Sequence, residues 1–74
     1  MGTKNDPGTF DCYDAAEDDE PMFVLLARDI SAPGLVDQWA DRRQLTGEEP
    51  EKVAEARECA QAMRRWHAEH RRFD

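Results

Sequence analysis

Three prolines punctuate this chain in one shared local pattern: Asp19-Glu20-Pro21, Ser31-Ala32-Pro33 and Glu48-Glu49-Pro50. Proline lacks an N–H and holds φ close to the helical value, so a first helical turn tolerates it where that N–H would have no acceptor. Acidic or hydroxyl side chains just ahead of it cap free N–H groups or favour the positive end of the helix dipole. The repeated pattern predicts three helix starts behind an N-terminal leader.

The second and third segments carry clear helical periodicity. With Ser31 as N-cap, Ala32, Leu35, Val36, Trp39, Ala40 and the stem of Arg43 fall on one side of a helix, and Asp37, Gln38, Asp41 and Gln44 fall on the other. Gly47 is placed to stop it. In the third segment Val53, Ala56, Cys59, Ala60, Met63, Trp66, His67 and His70 form a stripe, with Glu51, Glu55, Glu58, Arg65, Glu69 and Arg72 away from it. Its acids come early and its bases late, the order that the helix dipole favours. The short link between the two predicts an antiparallel helical hairpin.

The first segment, in "DEPMFVLLARD", is apolar without interruption over residues 22–27. Such a run has no polar side, so periodicity alone does not separate a buried strand from a buried short helix. A strand would need a ladder from "TFDCY" or from a second copy of the chain, because unpaired backbone groups are costly to bury. Asp19 as cap, Pro21 in the first turn, and Leu25, Leu26 and Ala27 as helix formers favour the helix. Either way the run needs cover on every side, and two narrow stripes do not supply it. Burying its large side chains is worth on the order of 1.5–3 kcal/mol each. The expectation is therefore a homo-oligomer or a partner protein, with Phe23, Val24, Leu25, Leu26, Arg28, Asp29 and Trp39 as interaction residues. The alternative is that Phe10 and Tyr13 of the leader fold over the run.

Length and charge set the frame for that expectation. Seventy-four residues make one domain at most, with a marginal core. The net charge of −7 is concentrated at the front, where residues 1–21 carry seven acids against Lys4 alone. Residues 1–18 read as an acidic, partly disordered leader opening with the turn signal Asn5-Asp6-Pro7-Gly8, and residues 19–74 as a small helical domain. This acidity argues against general affinity for nucleic acid or anionic membrane. The apolar run is too short to span a bilayer and no signal-type stretch precedes Cys12, so Cys12 and Cys59 are expected as reduced thiols in a cytoplasmic protein.

Candidate chemistry is sparse. His67 and His70 have a spacing that can share zinc, but Cys59 lies about 16 Å from His70 along a helix axis, so no four-ligand site forms within it. No cofactor or metal is expected. A Cys–His nucleophilic pair has no support from spacing, and Arg28-Asp29 reads as a turn or helix-end ion pair rather than a catalytic dyad. No phosphate-binding, dinucleotide-binding or zinc-protease motif is present. The chain is not expected to be an enzyme.

The blocks "DEPMFVLLARD", "APGLVDQWADRR" and "PEKVAEARECAQAMRRW" resemble a group of small uncharacterised proteins of tailed bacteriophages and prophages, over about Phe10 to Trp66. The resemblance implies no activity; it implies an accessory product acting in the cytoplasm of a bacterial host. The sequence thus predicts a mainly α fold: a short apolar first helix, or strand, an antiparallel hairpin of two amphipathic helices, and an acidic leader. The expected function is protein–protein interaction, binding and modulating a host or phage protein. Two alternatives stand beside it. One is a nucleic-acid or nucleotide binder using Arg64, Arg65, Arg71 and Arg72; the other is an acidic nucleic-acid mimic using Asp14, Glu17, Asp18, Asp19 and Glu20.

Overall fold

In the computed structural model, which describes residues 1–70, the chain forms three helices: α1 (Cys12–Ala15), α2 (Ala32–Thr46) and α3 (Pro50–His70). The described residues contain no strand. α2 starts where the second proline pattern places it, with Pro33 in its first turn. Ser31 occupies the cap position in a helical conformation, and its hydroxyl makes no capping bond. Asp29 holds the turn instead, its carboxylate accepting the Ser31 N–H at 2.9 Å. At the other end Gly47 adopts the left-handed conformation, φ 72°, and donates its N–H to the Gln44 carbonyl at 3.1 Å. That is the conformation glycine enters without a Cβ penalty.

Residues 47–49 turn the chain back into α3, and Pro50 opens that helix as the third proline pattern predicts. Glu49 also has positive φ, 53°, and its carbonyl accepts the N–H groups of Lys52 and Val53. α2 and α3 run antiparallel. Arg64 reaches Asp37 at 2.6 Å, while the earlier Arg57 reaches the later Asp41 at 2.9 Å and Gln44 at 2.6 Å.

The core between the helices is built from small side chains. Ala32, Ala40, Ala56 and Ala60 are fully buried and Val53 nearly so; Val36 and Met1 pack against the cluster of Ala40, Val53 and Ala56. Alanines at a helix contact let the backbones approach closely. This proximity corrects one expectation: Asp37, Asp41 and Gln44 do not face away from the hairpin but bridge to α3. The larger members of the predicted stripe, Leu35 and Trp39, remain partly exposed on its flank.

Residues 22–27 form neither of the elements expected of them. The run is non-helical and makes no ladder, and it ends in a turn in which the Asp29 N–H donates to the Leu26 carbonyl at 3.0 Å. A helix this short does not offset its nucleation without packing on a neighbour, and α2 and α3 already pair their small-residue faces with each other. Asp19 and Pro21 accordingly start no helix. The run rests on the body through Leu25 and Ala27, both half-buried.

The leader is anchored to α3. Its first residues form a turn in which the Thr3 N–H donates to the Asp6 carbonyl at 2.8 Å and the Asp6 N–H to the Thr3 hydroxyl at 2.9 Å. The Thr9 and Phe10 N–H groups then donate to the two oxygens of Glu55, at 2.6 and 2.8 Å. Asp11 caps the one-turn helix α1 by accepting the Tyr13 N–H. Phe10 is half-buried, as docking requires, whereas Tyr13 points outward and covers nothing.

Candidate functional site

A groove of about 920 Å³ opens between the leader, the apolar run and the flank of the hairpin. Phe23, Val24 and Leu25 form one wall, Leu35 and Trp39 of α2 another, and Met63 of α3 lies on the floor. Each wall has a local cause. The run lies here because its turn into α2 is fixed by Asp29, and the leader because Glu55 grips its backbone. Leu35 and Trp39 line the groove because the alanines beside them take the helix contact.

Several large apolar side chains are exposed here, besides Leu45 and Tyr13 outside the groove lining. Phe23 is 83% exposed, Val24 59%, Leu26 51% and Met22 50%, and Ile30 beyond the groove is 66% exposed. Large contiguous apolar patches on soluble monomers mark interaction sites. The backbone of the run is open as well: among the described residues the N–H groups of Phe23, Val24, Leu25 and Leu26 donate to no protein acceptor.

Charge around the groove is uneven. Arg43 and Lys52 lie on its hairpin side, with Arg43 5.5 Å and Lys52 5.9 Å from the centre of the Trp39 ring, within cation–π reach. Both also meet Glu49, at 3.2 and 3.8 Å. On the leader side, Asp14 lines the groove, and Asp14, Asp18 and Asp19 have neither an ion pair nor a hydrogen-bond partner among the described residues. Glu17 is likewise without an ion pair, and Glu20 uses its carboxylate only to accept the Glu17 N–H at 3.0 Å. The expected interaction residues Phe23, Val24, Leu25 and Trp39 converge on the groove, and the five acids lie next to it in sequence. Leu26, Arg28 and Asp29 follow at the turn, where Asp29 has a structural task and Arg28 is half-buried.

Periodicity places Glu55 on the solvent side of α3, whereas it is the leader's anchor. Its side chain retains 17% of its exposure. That desolvation works against its charge, but the Thr9 and Phe10 N–H groups and the nearby α-amino group outweigh it and lower its pKa. Gly8 has φ 82°, and a Cβ there would collide with the Glu55 carboxylate and the Met1 carbonyl. The sequence signal for it is the Asn5-Asp6-Pro7-Gly8 pattern, after which Thr9 and Phe10 present consecutive N–H groups to the carboxylate.

Both thiols, Cys12 and Cys59, are free and line the groove. Burial pushes the Cys59 thiol up; the α-amino group opposes that and Glu55 reinforces it. The expected basic end of α3 is partly engaged, since Arg64 pairs with Asp37; Arg65 is exposed, and Arg71 and Arg72 lie outside the described residues. His70 stacks on Trp66 with ring centroids 4.0 Å apart. No described helix is long and apolar enough to cross a membrane. Comparison with protein-family models, with curated proteins and with solved structures gives no match.

Proposed function

We propose that this chain is a protein-interaction factor that binds another protein through the groove bounded by residues 22–26 and Trp39. The observation that carries the reading is the apolar run itself, exposed beside a groove that its own hairpin leaves unfilled. The resemblance to small phage and prophage proteins directs the choice of partner to a host or phage protein in the bacterial cytoplasm. In this reading the chain acts by occupancy, modulating its partner, and not by catalysis.

The nucleic-acid alternative through Arg64, Arg65, Arg71 and Arg72 draws less support, because Arg64 already pairs with Asp37 of α2 and the chain carries a net charge of −7. The test is capture from a bacterial lysate with immobilised wild type and Phe23→Asp. Phe23 is almost wholly exposed, so its replacement leaves the fold intact. A defined protein retained by wild type and lost by the variant is the expected result, and identical recovery by both overturns the reading.

A further inference from the structure

We propose that the occupant of the groove is a basic amphipathic strand of another protein, with apolar residues alternating with Lys or Arg, added along residues 22–26. This rests on the interaction reading above and specifies its partner. Two independent features of the surface select that chemistry.

The first is backbone. The N–H groups of Phe23, Val24, Leu25 and Leu26 have no protein acceptor among the described residues, and the segment is non-helical. An added strand accepts from alternate N–H groups on the edge it joins and sends its own alternate side chains to opposite faces. One face of the strand places its apolar residues against Phe23, Leu35 and Trp39. The other turns toward the leader.

The second is charge. The groove's cations, Arg43, Lys52 and the Met1 α-amino group, already meet Glu49, the Trp39 ring and Glu55, whereas Asp14 in the lining, and Glu17, Asp18 and Asp19 following it in sequence, have no cationic partner among the described residues. The charge still to be matched is negative. A second copy of a chain with net charge −7, bearing the same acids at the same place, meets like charge there. A cationic partner meets complementary charge at Asp14, which lines the groove, and along the acids that follow it in sequence.

The probe is a short synthetic peptide alternating lysine with valine, compared with an analogue carrying glutamate for lysine and with one carrying proline within the paired stretch. Binding is followed by Trp fluorescence and by amide exchange. The lysine peptide is expected to bind at least about tenfold more tightly than the glutamate analogue and to weaken as salt shortens electrostatic range to roughly 8–10 Å. It should slow exchange at alternate amides of the run, Phe23 and Leu25 or Val24 and Leu26, because one edge of an extended segment presents every second N–H, and the proline analogue should not. Phe23→Asp should abolish binding, and Asp18→Lys with Asp19→Lys, which leaves Asp14 and Glu17 against two lysines, should abolish the charge preference; both alter exposed side chains. Equal binding of the two charged peptides, or binding without protection of these amides, overturns the basic-strand assignment. So does self-association in light scattering that protects the same amides without peptide. The broader reading survives any of these so long as lysate capture still depends on Phe23, and fails separately if it does not.

Discussion

At the scale of single residues, attachment of the leader depends on one carboxylate and one glycine. Glu55 accepts two backbone N–H groups from a segment more than forty positions away in sequence. Because its folded-state pKa lies below the ordinary glutamate value, the anchoring is fully present above that ordinary value and is lost as pH falls through the lower folded value. Acidification through and below the usual carboxylate range should release residues 9 and 10 in wild type, read as rising picosecond–nanosecond amide motion by NMR relaxation. Glu55→Gln keeps the shape but removes the charge, and should show that mobility already at neutral pH with little further change on acidification. Gly8 offers an independent check. An alanine there enters the left-handed region, which costs about 1–2 kcal/mol, and also presses its Cβ into Glu55 and Met1. Gly47 shares the positive φ but has open space around its Cβ position. Urea unfolding should therefore rank Gly8→Ala as the more damaging of the two.

At the scale of elements, the hairpin depends on the small size of its contact residues more than on its ion pairs. Ala56 is fully buried between α2 and α3. Ala56→Leu should force the helices apart and destabilise by about 1–3 kcal/mol, read from the midpoint of the helical circular-dichroism signal in urea. Arg57→Ala removes contacts to Asp41 and Gln44 that lie at the surface, and should lose less than about 1 kcal/mol, with the loss shrinking in salt. The same comparison shows what the sequence could reveal. The stripe from Val53 to Met63 and the stop at Gly47 were legible because they follow from local rules of periodicity and left-handed glycine. That Trp39 and Leu35 would flank a groove was not, because a stripe does not say which of its members takes the contact; alanines won it by allowing closer approach. The run at 22–27 had no period to read, so its structure was decided by the absence of a free helix face to pack on. Glu55 was hidden for a different reason: its partner is a backbone turn distant in sequence, and a periodic pattern registers only neighbours along one helix.

At the scale of the whole molecule, apolar surface is divided in an unusual way: alanines and one valine form the interior, while Phe23, Leu26 and Ile30 remain outside. If the exposed run were an obligate dimer seam, stability would depend on it and on protein concentration. If it serves a different protein, as proposed, the isolated chain folds without it. Its net charge of −7, massed in the leader, opposes the approach of a second copy at low salt. Two measurements on one pair of proteins separate the cases. Wild-type Tm should be unchanged over about a hundredfold range of protein concentration. Phe23→Asp, an exposed substitution, should shift stability by no more than about 0.5 kcal/mol, a few degrees in Tm for a domain this size. Val53→Ala, which empties part of the interior, serves as the positive control and should lower Tm clearly more. A Tm that climbs with concentration in wild type and becomes flat and low in Phe23→Asp would make the apolar run part of the folding core of an assembly, and the binding surface for another protein would have to lie elsewhere.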